Sequence, residues 1–117
     1  MSSEAVIQQK IRLALGMRDD IFMFRINVGV FRPMHGDQRR AIRSAPDGTP
    51  DLLGVKAPGL AFGIEVKTAK GAQREAQKNW QKAWEKRGGI YILARSVEDV
   101  YKGLDISVDD NAYSPQQ

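Results

Sequence analysis

The sequence predicts a single α/β domain, a mixed β-sheet flanked by helices in the order α-β-β-β-α-β with a short closing helix. Three observations predict it. Residues 4–18 and 73–87 repeat apolar side chains at helical spacing. Residues 21–28, 51–55, 60–67 and 90–94 are short runs of branched, aromatic and alternating residues, as strands are. The chain has 117 residues, which suits one domain. Residues 1–107 make up that domain, and 108–117 a polar C-terminal tail.

In the first helix Ile7, Ile11, Ala14 and Leu15 form one apolar stripe, and Ser2 or Ser3 caps its start. Glu4 stands on the edge of that stripe, where an acid also complements the helix dipole. The strand IFMFRINV follows. Next comes a polar, basic stretch from Arg32 to Pro50, containing Arg39, Arg40 and Arg43. It reads as a long loop or a mobile hairpin, either solvated or contacting phosphate. Asp51–Val55 and Leu60–Lys67 are joined by a Pro58-Gly59 turn and predict a hairpin. Leu60, Phe62, Ile64 and Val66 point one way; Ala61, Gly63, Glu65 and Lys67 point the other. Ala76, Trp80, Ala83 and Trp84 line one side of the second helix, which Gly88-Gly89 ends. At that spacing the two tryptophans read as packing residues. IYILA, residues 90–94, has the continuous apolar character of a central strand. Ser96-Val97-Glu98-Asp99 resembles a capping box opening a short helix that Gly103 ends.

The net charge is +4, and residues 1–104 alone carry +7 because no Lys or Arg follows Lys102. A basic body attracts polyanions, and nucleic acid is the commonest large one; a merely solvated basic surface has the same composition. Without cysteine there is no disulfide framework, thiolate zinc site or cysteine nucleophile. His35 is the only histidine, so a histidine-based zinc site is excluded. The N-terminus lacks the basic-then-apolar order of a signal peptide, and no apolar run reaches membrane-helix length. A soluble cytoplasmic protein that is not secreted is expected.

The chemistry concentrates on the strand Leu60–Lys67. Glu65 and Lys67 share its polar face, with only Ala61 and Gly63 beside them, so there is space above. A hairpin brings Asp51, 14 residues before Glu65, alongside it. Two convergent carboxylates are the usual way to hold Mg²⁺, a hard cation that prefers oxygen ligands. Such an ion neutralises and polarises a phosphodiester and acidifies a bound water. Lys67 beside it can orient the water or stabilise charge on the phosphate oxygens. By itself, Glu-x-Lys is also what an exposed, solvated strand face carries.

The ordered set of motifs resembles the VRR-NUC domain, the virus-type replication–repair nuclease branch of the PD-(D/E)XK nuclease superfamily. The carrying residues are Gly48-Thr49-Pro50-Asp51-Leu52-Leu53-Gly54, Gly63-Ile64-Glu65-Val66-Lys67, and Gln77 with Trp80. Gly88-Gly89-Ile90-Tyr91 and Ser96-Val97-Glu98-Asp99 extend it over roughly residues 3–103.

The resemblance implies a restriction-endonuclease-like core. It implies that Asp51, Glu65 and the Val66 carbonyl hold Mg²⁺, for which Mn²⁺ substitutes, with Glu4 completing the site and Lys67 as the catalytic lysine. Gln77, otherwise an ordinary helix-surface residue, would steady Lys67 or the water. The implied activity is endonucleolytic hydrolysis of DNA, branched or four-way-junction DNA in particular, by a phage-type homodimer. Arg32, Arg39, Arg40, Arg43 and Lys70 are the expected nucleic-acid contacts. Val28, Val30 and Phe31 are an apolar run that either covers a dimer contact or completes the monomer core. A DNA-binding module without catalysis and an RNA-directed nuclease stand as alternatives. The intact Asp51, Glu65 and Lys67 argue against the first.

Overall fold

A computed structural model describes residues 2–27, 30–31, 36, 42–43 and 45–107, with backbone alone at 30, 31, 42 and 43. Helix α1, Glu4–Gly16, starts where the Ser3 hydroxyl accepts from the Val6 amide at 3.2 Å. The predicted stripe is its buried side: Ile7, Ile11 and Leu15. Strand β1 is Ile21–Arg25, β4 is Leu52–Lys56, β5 is Leu60–Val66 and β6 is Ile90–Ala94. Between β1 and β4 lies a two-residue antiparallel ladder, β2 (Val30–Phe31), just before the predicted loop, on β3 (Ile42–Arg43), within it. Helix α2 is Glu75–Lys86 and α3 is Val97–Gly103.

The four long strands form one sheet in the order β1-β4-β5-β6. The first three are antiparallel neighbours, and β6 runs parallel to β5. This is the mixed sheet flanked by helices that the sequence predicts. One expectation is corrected. β6 is not a central strand but closes the described sheet at one edge. Its apolar character has another cause, because helices cover both of its faces, α2 on one side and α3 on the other.

The alternation in β5 divides the molecule into layers. Phe62, Ile64 and Val66 are fully buried with Leu52, Ile92 and Ala94 beneath α1 and α3, which add Ile7, Ile11, Leu15, Val100 and Leu104. Each fully buried side chain of this size stabilises by roughly 1.5–3 kcal/mol, so this layer supplies most of the adhesion. The opposite face carries α2, whose apolar stripe is only half-buried. Trp80 and Trp84 stack on each other at 4.7 Å, and the Trp84 indole N–H donates to the Ile90 carbonyl at 3.0 Å. The tryptophans therefore fasten α2 to the sheet, as their spacing implies. The capping motif at α3 is also present: the Ser96 hydroxyl accepts from the Asp99 amide, and the Asp99 carboxylate accepts from the Arg95 amide.

Among the described residues no helix is long and apolar enough to cross a membrane. Val28, Arg32, His35, Arg39 and Arg40 lie outside the described residues, as does the tail from Val108. The strand predicted to run to Val28 ends at Arg25.

Candidate active site

The site is built by register. Arg25 pairs with Leu52, and Leu52 with Ile64. One residue further along, the Ile26 amide donates to the Asp51 carbonyl at 2.8 Å. Ile26, Asp51 and Glu65 therefore form the next row across three strands, on the face turned away from the core. Tyr91 stands beside Gly63, one step along the same face. Gly63 leaves room there: a methyl group would sit tightly against Pro50 and Leu53, at 3.0 and 3.2 Å, and in ordinary contact with the Trp80 ring at 3.5 Å.

Asp51 is locked to the strand it faces. Its carboxylate accepts from the Val66 amide at 2.9 Å. Glu65 is only 4% exposed, and the Lys67 ammonium lies 3.9 Å from its carboxylate. Lys67 is itself buried, and its amide donates to the Ala94 carbonyl, extending the β5–β6 ladder past Val66. The face predicted to carry charge is thus an enclosed one, which excludes the reading of a solvated Glu–Lys pair.

Burial, foremost, pushes the Glu65 carboxyl up to about 8, and the negative charge of Asp51 adds to this. Lys67 opposes the shift, while a hydrogen bond with Asp51 and the charge of Glu4 reinforce it. Glu65 holds its proton more tightly here because the Lys67 charge does not offset burial and the neighbouring carboxylate. An all-oxygen donor set of this kind, short of one cation, suits a hard divalent ion. Burial also raises Tyr91 to about 12, so it is a neutral phenol whose oxygen accepts from Gln73 at 3.2 Å.

Glu4 is placed differently. Among the described residues no three His, Cys, Asp or Glu side chains come together as a metal-holding group. Glu4 lines a neighbouring depression with Gln8, Arg12 and Arg25, and reaches Glu65 by its charge.

A cleft of about 250 Å³ opens over the pair. Besides the pair it is lined by Arg25, Ile26 and Asn27 at the end of β1, by Gly48 and Thr49, and by Arg74 and Gln77 at the start of α2. Gln77 is no surface residue. It is 5% exposed, and its side-chain oxygen accepts from the Arg74 amide at 2.8 Å, capping α2. Lys70 is exposed and outside this lining, and Arg43 is placed only as backbone in β3. The sequence does not single out Arg25 and Arg74, because neither belongs to a basic run or a motif. The available signal was their position, one at the end of a strand and one just before a helix.

The chain matches no protein-family model and no curated protein. Among solved structures, one titled VRR_NUC domain superposes on 90% of this chain and 97% of its own, with a TM-score of 0.58 and 20% sequence identity. The fold is that of a VRR_NUC domain. At this identity a VRR_NUC fold is established by backbone path, and the chemistry has to be argued from the side chains above.

The approach of the 45–51 segment to α2 sets the cleft's width. Gly48 has a φ of 90°, and a Cβ there would run into the Ala76 carbonyl. Thr49 fixes the same turn by donating from its hydroxyl to the Pro46 carbonyl at 2.6 Å. Gly48→Ala combines a left-handed backbone with a backbone clash, so a loss of about 2 kcal/mol or more is expected. Thermal denaturation measures it. An unchanged melting temperature would mean that the turn does not brace the site.

Proposed function

We propose that this chain is a divalent-metal-dependent DNA endonuclease that cuts branched DNA, four-way junctions included. The observation that carries the reading is the enclosed pair of carboxyl groups, Asp51 and Glu65, with Lys67 at 3.9 Å from Glu65. The VRR_NUC fold and the basic body of the chain support it.

Asp51, Glu65 and the Val66 carbonyl are the groups that would hold Mg²⁺ or Mn²⁺, with Glu4 near enough to act electrostatically. The ion would neutralise the scissile phosphate and ease deprotonation of a water. The protein's own contributions are positional. The Val66 amide orients Asp51. The α2 cap formed by Gln77 sets one wall of the cleft. Lys67, buried and positively charged, balances the carboxylates and faces charge that grows on the phosphate oxygens as the bond to the leaving oxygen breaks. Symmetric incision of a junction calls for two such sites, which a two-fold dimer supplies.

The test is a cleavage panel of end-labelled duplex, single-stranded, flap and four-way-junction DNA, with an RNA duplex alongside. Cutting of flap or junction DNA in Mg²⁺ or Mn²⁺ and none in EDTA is expected, with paired nicks in the junction. Binding without cutting in either cation would instead indicate a non-catalytic DNA-binding module. Cutting of RNA alone would make the substrate RNA.

A further inference from the structure

The cleft carries two guanidinium groups to which the mechanism above gives no role. Arg25 ends β1, where it borders both this cleft and the depression beside Glu4, and Arg74 precedes α2; both line the cleft that holds Asp51 and Glu65. Among the described residues Arg25 makes no ion pair. Among these residues Arg74 pairs only with Asp47, at 3.7 Å, with side chains 61% and 49% exposed. A pair that long and that solvated is weak and easily exchanged for another anion. Neither arginine bonds to the buried carboxyl groups, although both line the cleft that holds them. Two cations held this way beside an acidic pair match an anion that enters the cleft.

We infer that Arg25 and Arg74 form a phosphate clamp, binding the backbone phosphates on either side of the one presented to Asp51 and Glu65. This rests on the nuclease reading and assigns the substrate-positioning groups of that site. Arginine suits the task because its planar fork can donate two parallel hydrogen bonds to one phosphate. The loop around Gly48 lines the same cleft. It packs on α2 at Ala76, so Arg74 is carried by a braced helix start. Contacts of this kind hold a strand in register without reading bases. Arg74 would leave Asp47 when DNA arrives, and Asp47 would keep the guanidinium extended in its absence.

The experiment measures binding and cutting separately. Affinity for a fluorescein-labelled four-way junction is followed in EDTA over a range of salt, for the parent, Arg25→Ala, Arg74→Ala and the double variant. Each single change should weaken binding about 10-fold and lower the salt slope by about 1. The double variant should lower the slope by about 2. In Mg²⁺ the same variants should raise KM more than they lower kcat. Lys82→Ala, on the exposed side of α2, removes the same charge outside the cleft and should leave slope and KM as in the parent. If an alanine variant fails to fold, Arg25→Lys and Arg74→Lys decide. They keep the charge, lose the fork, and should bind with intermediate affinity. A parent that cuts DNA while the arginine variants keep its slope and KM would overturn the clamp and leave the nuclease reading standing. A parent that neither binds nor cuts any DNA of the panel would overturn both.

Discussion

Glu65→Gln should give a protein that no longer cuts DNA yet melts at a higher temperature than the parent when divalent metal is absent. The two effects have one cause. Glu65 is buried beside Asp51, and its carboxyl is pushed up to about 8 from 4.5. The folded state therefore binds a proton more tightly than the unfolded state does. That contribution is fully present below about pH 4.5 and is lost as pH rises through about 8. Gln carries no charge to bury, so its advantage should grow across that interval and then level off. Asp51, Lys67 and the more distant Glu4 are the charged groups that act on Glu65. Above pH 8 a gain of about 1 kcal/mol or more is expected, or about 4 °C or more in a domain of this size. Added Mg²⁺ should stabilise the parent and not the variant, since only the parent offers it two carboxylates. Cleavage should fall by roughly 10³-fold or more, because the ion that stabilises the transition state is no longer held. Asp51→Asn should lose cleavage equally, and DNA binding in EDTA should persist or tighten as an anion leaves the site. Near-parental cutting by either variant would remove the carboxyl pair from the mechanism. A melting difference that ignores pH would show that Glu65 is not the group under strain.

Lys67→Ala should retain DNA binding and metal binding but cut about 10²–10³-fold more slowly. Lys67 is buried, and its ammonium has Glu65 as a neighbour at 3.9 Å, a distance that leaves it able to turn toward substrate. Its charge matters most when negative charge accumulates on the phosphate, so the loss should fall on kcat. The variant also removes the charge that opposes the upward shift of Glu65, so the metal-free protein should tighten its hold on that proton. Single-turnover cleavage with saturating enzyme separates the chemical step from binding. A loss below a few-fold would make Lys67 a partner that only balances Glu65.

The parts of this protein legible in the residue order are those set by short-range geometry. Side chains on a strand alternate, so LAFGIEVK alone places Phe62, Ile64 and Val66 on the core side and Glu65 with Lys67 on the other. Caps act over three residues, so Ser3 and Ser96 mark the starts of α1 and α3. A two-strand hairpin across Pro58-Gly59 brings Asp51 to Glu65 at a separation that chain length and register alone set. For that reason the carboxyl pair could be named in advance. Alternation has nothing to say about segments far apart in the chain. It does not give the parallel seating of β6 on β5, and a continuous apolar run looks alike at the centre of a sheet and at an edge covered on both faces. Nor does it bring Arg25 and Arg74 to one cleft. The first is set by the pairing of β1 with β4, the second by the packing of Gly48 against Ala76. The proton affinity of Glu65 belongs to the same class. A Glu-x-Lys pair is ordinary in water and becomes a strained one only when α2, the 45–51 turn and Asp51 together exclude solvent from it, since the cost of a charge depends on everything that surrounds it.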